Sequence, residues 1–578
     1  MRLMYTLLTV FSVLLLIYDF GFDQDPQQQR LLLRGYFYII GIFSAFELYH
    51  LVVSKVRGNL LSFIRLALPF ATLLIILYTW GLGMETFFDA VVRHEGLFTA
   101  NVLLLAFFEL AVYVRRLYVK SLSPGIVFAG SFLLLILSGA LLLKLPNATV
   151  SGISFTDAVF TSTSAVCVTG LAVLDTGRDF TRMGQVIIMV LIQLGGLGVL
   201  TLTTFFAYFF TGGASFQEKL YVKDFLSSEN LGGLIELAMK IIGFTLGIEL
   251  IGALLIFFSM PEGHGLQLEE RAFFALFHSV SAFCNAGFST LTNNLYESGY
   301  RFAYSLHWIV ALLIIFGGLG FNIIFNIFRY ILEKASNIYL RFILKSAKYH
   351  TTARLVTLNT KIVLYTTGVL LVMGTILFYV MECHNTLREH QSFWGKLTVS
   401  FFGSVTPRTA GFNNVNMAEL ALPTVMLTIF LMWVGASPAS TGGGIKTSTF
   451  ALALLNILSV GRSKNRIELG TREIPWHSVH RALAIIILSI LFIGIGIVLL
   501  AFTDEEIGFQ AIVFEVFSAY GTVGLSLGAT ARFSDAGEWV LIAMMFIGRV
   551  GSINLLIGIL RQSGYLPYRY PEESVLLN

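Results

Sequence analysis

The sequence predicts an all-α integral membrane protein in which four pseudo-symmetric helix, pore-loop, helix repeats surround one pore, with four further transmembrane helices ahead of them. Three observations predict it. Of 578 residues, 56% are hydrophobic and only 12% charged, a balance that a soluble fold of this size cannot hide from water. Uncharged runs long enough to cross about 30 Å of hydrocarbon, roughly 20 helical residues each, recur along the whole chain. Finally, one glycine-centred segment returns four times, about 115 residues apart.

The runs lie at 4–20, 34–54, 60–80, 97–117, 124–146, 184–210, 234–259, 303–328, 358–381, 421–457 (interrupted), 481–502 and 537–560, about twelve crossings in all. No small-residue cleavage pattern follows Met4 to Tyr18, so the first run is read as a retained helix. Shorter apolar stretches near 154–171, 271–288, 394–412 and 507–525 cannot span once their Gly and polar residues are discounted, and read as re-entrant segments. Cys167, Cys284 and Cys383 have neither CxxC nor Cys/His ligand spacing, so neither a disulfide framework nor a metal site is expected.

Basic residues set the orientation. Lys55 and Arg57, then Arg115, Arg116 and Lys120, then the set from Arg329 to Arg354, then Arg462, Lys464, Arg466 and Arg472 all fall on one side if the N-terminus is cytoplasmic. Opposite loops carry Glu262, Glu269 and Glu270, and Asp504, Glu505 and Glu506, ordinary solvated acids that also form a weak funnel for a cation.

The four copies align on Gly170, Gly287, Gly411 and Gly524. Phe160, Phe277, Phe401 and Phe514 stand ten residues ahead, and Leu171, Phe288, Phe412 and Leu525 follow. A second landmark comes 24 to 30 residues later: Gly195-Gly196-Leu197-Gly198, Gly317-Gly318-Leu319-Gly320, Gly435 within Val-Gly-Ala-Ser-Pro, and Gly548-Arg549-Val550-Gly551.

A dehydrated cation needs several oxygens at once, and in an apolar layer the cheapest source is backbone carbonyls aimed at one axis. Aiming consecutive carbonyls one way requires alternating backbone conformations, some with positive φ, which glycine tolerates and a residue with a Cβ does not. A short helix ahead of each glycine would turn its partially negative C-terminal end toward the ion. One glycine in a membrane helix usually serves close packing; four in register point to a filter. The candidate oxygens are the carbonyls of Val168, Thr169 and Gly170, of Asn285, Ala286 and Gly287, of Thr409, Ala410 and Gly411, and of Thr522, Val523 and Gly524. Asn285 is read either as lining the filter with its amide or as a packed residue, and His278 as packed or hydrogen-bonded rather than a ligand.

With these four loops, residues 120–560 resemble the Trk/Ktr/HKT superfamily of potassium transporters, specifically the bacterial TrkH and KtrB type of pore subunit. The resemblance implies four repeats of one chain around one pore in the bacterial cytoplasmic (inner) membrane. It also implies K⁺ uptake rather than Na⁺, because no filter glycine is replaced by Ser; a Na⁺-permeable or Na⁺-coupled member is the alternative. K⁺ is then the only metal ion expected, as the transported ion, with no cofactor. Family members form homodimers on a ring of RCK-type nucleotide-binding regulatory subunits. This chain has no Gly-rich phosphate loop of its own, so nucleotide control is expected in trans.

The third repeat's last span is broken by the stretch 434–447, in which Gly435, Ser437, Pro438, Ser440, Thr441, Gly442, Gly443 and Gly444 cannot continue a helix. At membrane depth such backbone must line a cavity or be buried against protein, which suits a plug beneath the filter. Lys446 in this stretch and Arg549 in the last span are cations in apolar surroundings. Facing the pore, Arg549 would oppose cation passage; a paired structural role is its alternative. In the resembled family the matching loop and arginine form the constriction below the filter.

The divisions expected are 1–120 (extra helices, of unassigned role beyond peripheral packing or a dimer contact), 121–215, 216–335, 336–460 and 461–562 (the repeats), and 563–578 (a cytoplasmic tail). The basic loops 329–361 and 459–481 suit lipid headgroups or a regulatory partner, and nothing points to nucleic acid. An intramembrane enzyme would have to use Asp157, His278 or Glu515, which form no nucleophile and base pair or metal spacing and are read as unrelated positions in their repeats.

Overall fold

A computed structural model describes residues 2–54, 124–198, 234–261, 267–342, 356–464, 466–469 and 472–552, with scattered positions at 67–102 and 556. Most of the expected spans at 60–80 and 97–117, the end of 184–210 and the tail at 563–578 lie outside the described residues.

Two helices open the chain, α1 (Arg2–Gly21) and α2 (Pro26–Ser54). They pack on each other through Leu16, Leu33, Tyr36, Ile39 and Phe43. The pair docks on the periphery of the first repeat, where Asn147 donates to the Phe20 carbonyl at 3.3 Å.

The first repeat is α3 (Pro124–Leu143), the pore helix α4 (Phe155–Val166) and α5 (Arg182–Leu197). The second is α6 (Leu234–Ser259), pore helix α7 (Leu268–Phe283) and α8 (Tyr304–Leu319), continued by α9 (Phe321–Phe342). The third is α10 (Leu358–Glu382), pore helix α11 (Phe393–Val405), α12 (Leu422–Trp433) and α13 (Thr447–Gly461). The fourth is α14 (Trp476–Thr503), pore helix α15 (Phe509–Gly521) and α16 (Asp535–Val550). Between α13 and α14 a hairpin, β1 (Ile467–Leu469) with β2 (Arg472–Ile474), pairs Glu468 with Glu473, a small departure from the all-α expectation.

Helix starts follow from capping side chains. Ser154 accepts from Asp157 N while Asp157 returns a bond to Ser154 N, fixing the first residue of α4. Thr181, Ser392 and Ser534 cap α5, α11 and α16 by accepting from Gly184, Gly395 and Gly537.

The order of packing is cyclic. Pore helices α4, α7 and α15 lie against both spans of their own repeats and α11 lies against α10, and the closing span of each repeat also touches the next pore helix: α5 on α7, α8 on α11, α12 on α15, and α16 back on α4. Outward faces stay apolar, with Phe258, Val380, Val498 and Phe502 all exposed. Ala238–Ser259, Leu358–Glu382 and Trp476–Thr503 are each long and apolar enough to cross a membrane, and their exposed faces require lipid.

The second glycine landmark differs from its expected place inside continuous spans. Gly198, Gly320 and Gly551 have φ of 79°, 87° and 88° and end α5, α8 and α16. At Gly320 the chain turns by 102° into α9, so the run read as one span over 303–328 is two segments. A left-handed residue cannot continue a right-handed helix.

Candidate ion-conducting site

The pore helices end beside the four glycine turns, and the turns meet edge to edge. A Cβ built on Gly170 would collide with the Ala286 carbonyl and stand 3.2 Å from Cα of Gly287. One on Gly287 would stand 2.6 Å from the Ala410 oxygen and 3.0 Å from Cα of Gly411. The same relation carries Gly411 onto Val523 and Gly524, and Gly524 onto Thr169 and Gly170, which closes the circle. Each glycine is thus pressed against the carbonyl one residue before the next repeat's glycine, and any side chain would wedge the ring apart.

Positive φ is confined to alternate residues of each turn. The glycines have φ of 90°, 69°, 80° and 90°, and the residues two before them, Val168, Asn285, Thr409 and Thr522, have 57°, 60°, 72° and 50°. Left-handed non-glycine residues cost of order 1–3 kcal/mol each and persist where surroundings over-determine them. The sequence reading names all eight residues for their carbonyls but places the positive φ at the glycines; Asn tolerates the left-handed region, whereas nothing in Val or Thr announces it.

Hydroxyls anchor the turns. Ser164 and Ser518 accept from the Gly170 and Gly524 amides at 3.0 and 3.1 Å, whereas Ser281 and Thr406 donate to the Phe288 and Phe412 carbonyls. Asn285 is fully buried with its amide turned toward the third repeat, 3.1 Å from the Thr409 hydroxyl. With its nitrogen donating to the Ala282 and Ile314 carbonyls, its oxygen accepts from Thr409. Its side chain therefore braces two repeats. His278 is buried and hydrogen-bonded to Phe274 O and Ser289.

The landmark glycines of three repeats have one packing role. A Cβ on Gly195, Gly317 or Gly548 would collide with the carbonyl of Val166, Phe283 or Tyr520, each four residues before one of the turn glycines. Close approach of the closing span to the end of its own pore helix requires a residue without a side chain.

The stretch 434–447 lies directly against this ring. Gly443 N donates to the Thr522 hydroxyl at 2.9 Å, and Gly442 packs on the Thr409 side chain. Thr441 N donates to Gly317 O at 3.3 Å, Ser437 N to Gly318 O at 3.0 Å, and Phe321 N to Ala439 O at 3.1 Å. Gly435, Ser437, Thr441, Gly442 and Gly443 are buried, and Pro438, Ser440 and Gly444 partly so, with Gly444 at φ 66°. Lys446 folds its ammonium back onto the Gly442 carbonyl at 2.5 Å. Backbone that cannot be helical is here satisfied by protein, as membrane depth demands.

Of the two roles the sequence leaves open for Arg549, its hydrogen bonds match the paired one. Arg549 donates from Nη1 to the Thr441 carbonyl and from Nη2 to Gly195 O at 2.6 Å, tying the loop to the end of α5. Only folding brings these partners together, since Gly195 and Arg549 belong to the first and fourth repeats.

The family model for TrkH, described as a cation transport protein, matches residues 125–563. The Ktr system potassium uptake protein B of Vibrio alginolyticus is 37% identical over 463 residues, 80% of this chain and 96% of that protein. The potassium/sodium uptake protein NtpJ of Enterococcus hirae is 37% identical over 79% of this chain and 98% of its own length. In fold, the chain is similar to the crystal structure of the potassium transporter TrkH from Vibrio parahaemolyticus, with a TM-score of 0.59 at 18% identity over 92% of this chain and 98% of that one. The chain is a member of the TrkH family of cation transport proteins.

Proposed function

We propose that the protein carries K⁺ into the cell through the ring of carbonyls at Val168–Gly170, Asn285–Gly287, Thr409–Gly411 and Thr522–Gly524, and that the 434–447 loop with Arg549 gates the path. The observation that carries the reading is the closed circle of four glycines, each set on the next repeat's carbonyl. Such a circle offers oxygens from four sides to an ion that has shed water, while the pore-helix C-termini add a favourable field. Potassium uptake in two relatives, 37% and 36% identical, supports the choice of ion. NtpJ, 37% identical, is named for both potassium and sodium, which supports a Na⁺-permeable variant as the second reading.

The gate reading rests on position. The loop abuts Thr409 and Thr522 at the ring, and Arg549 clamps it to Gly195. The bacterial cytoplasmic membrane follows from the family resemblance, the cytoplasmic termini from the basic loops, and the repeat boundaries from the four-repeat spacing. A homodimer and an RCK-type regulatory subunit follow from the family resemblance.

Purified protein in proteoliposomes with an outward or inward K⁺ gradient tests the reading. Flux of K⁺ that Na⁺ competes with poorly is expected. Equal K⁺ and Na⁺ flux would select the second reading, and flux of neither ion, with and without a regulatory subunit, would reject both.

A further inference from the structure

Counted from the filter glycines, His278 and Glu515 stand at one and the same position, nine residues ahead in the second and fourth repeats. The sequence reading of them as unrelated is therefore corrected. Both are fully buried in their pore helices. Each holds the serine two residues beyond its glycine: Glu515 accepts from the Ser526 hydroxyl, and His278 Nε2 lies 2.9 Å from Ser289 Oγ.

The proton directions match as well. His278 Nδ1 is 2.8 Å from the Phe274 carbonyl and must donate to it, so the neutral ring accepts at Nε2 from Ser289. Each serine oxygen in turn accepts a backbone N–H two residues on, from Leu291 at 3.0 Å and from Gly528 at 2.9 Å. Glu515 takes one more bond, from Thr530 at 3.0 Å. At the corresponding positions the first repeat has Thr161, whose hydroxyl has no partner among the described residues, and the third has Phe402. Since the ring runs in sequence order, the braced repeats are diagonal to one another.

We propose that Glu515, with His278 as its counterpart across the ring, is a positioning residue for ion selectivity: it fixes the chain just beyond the filter glycine, on the side away from the 434–447 loop, which packs at the residues two before the glycine. Two diagonal turns pinned on both sides of their glycine hold the carbonyl circle at one width. The inference rests on the transport reading above.

Uptake kinetics of Glu515→Ala, Ser526→Ala, the double variant and Glu515→Gln in proteoliposomes test it. Glu515→Ala and Ser526→Ala are each expected to raise the KM for K⁺ and improve Na⁺ competition about tenfold, worth 1.4 kcal/mol, with the maximal rate per reconstituted protein changed less than about twofold. The double variant should add little, because both partners serve one bond. Glu515→Gln, whose Oε1 can still accept from Ser526 while its Nε2 donates to the Thr530 hydroxyl, should restore most of the discrimination, and Thr161→Val should leave it unchanged. A fall in folded protein and maximal rate with an unaltered K⁺ to Na⁺ ratio would overturn the proposal, as would additive single effects. A wild-type protein that moves neither ion would instead sink the transport reading.

Discussion

Replacing Gly287 by Ser perturbs the ring where two repeats touch. At φ 69° an L-residue costs roughly 1–2 kcal/mol. Its Cβ would stand 2.6 Å from the Ala410 oxygen and 3.0 and 3.1 Å from the Cα and C of Gly411. Those obstacles are backbone and cannot swing aside, so overpacking adds typically about 1–3 kcal/mol. The turns of the second and third repeats must separate to release a combined strain of about 2–5 kcal/mol. If a third to a half of it appears as poorer coordination of the preferred ion, K⁺ over Na⁺ discrimination falls roughly tenfold, since 1.4 kcal/mol is a factor of ten. The assay is K⁺ uptake into proteoliposomes against rising external Na⁺, with reconstituted protein quantified. Gly152→Ser is the control: φ there is 76°, yet nothing lies within 4 Å of its Cβ, so discrimination should not change. A Gly287→Ser protein that folds, reconstitutes and keeps the wild-type ion ratio would refute the carbonyl-ring argument.

Arg549→Ala removes two charge-assisted hydrogen bonds, each worth about 1.5–3 kcal/mol, between the loop, α16 and the end of α5. K⁺ flux should rise at least severalfold, as it should when residues 438–444 are shortened; unchanged flux in both would reject the gate. Glu382, fully buried at the end of α10, accepts from Thr386, Asn385, Ala421 and Thr424. Glu382→Ala strands at least one or two of those donors and should cost about 3 kcal/mol of stability, read as a lower melting temperature in detergent, with Glu382→Gln between the two. Gly317→Ala drives a methyl into the Phe283 carbonyl and should cost about 1–3 kcal/mol in the same melt, with flux per folded protein reduced.

Much of this site was legible before any coordinates. The re-entrant helices appeared as apolar stretches too short to span; α4 and α15 fall inside them, and α7 and α11 overlap theirs but start slightly earlier, at Leu268 and Phe393. The break between α12 and α13 showed itself through glycines, serines and a proline that no helix interior accepts. Hydropathy failed at Gly320, because it scores side chains and is blind to a backbone that turns left-handed. It also could not separate a cation facing water from one answered by carbonyls, and so the sequence leaves Arg549 between a pore-facing charge and a paired structural residue.

Sequence alone determined the membrane class, the fourfold recurrence and the placing of the glycine turns, since each is written in local composition and spacing. Tertiary structure alone decided that the turns close in the order of the chain, that Gly195, Gly317 and Gly548 admit pore-helix carbonyls, that Arg549 bolts the loop to the first repeat, and that Glu515 and His278 both hold the serine two residues beyond their glycines. The physical reason is range. A turn's need for glycine comes from its own φ and can be read in place, whereas the neighbour that leaves no room for a Cβ arrives from more than a hundred residues away, and only packing brings it there.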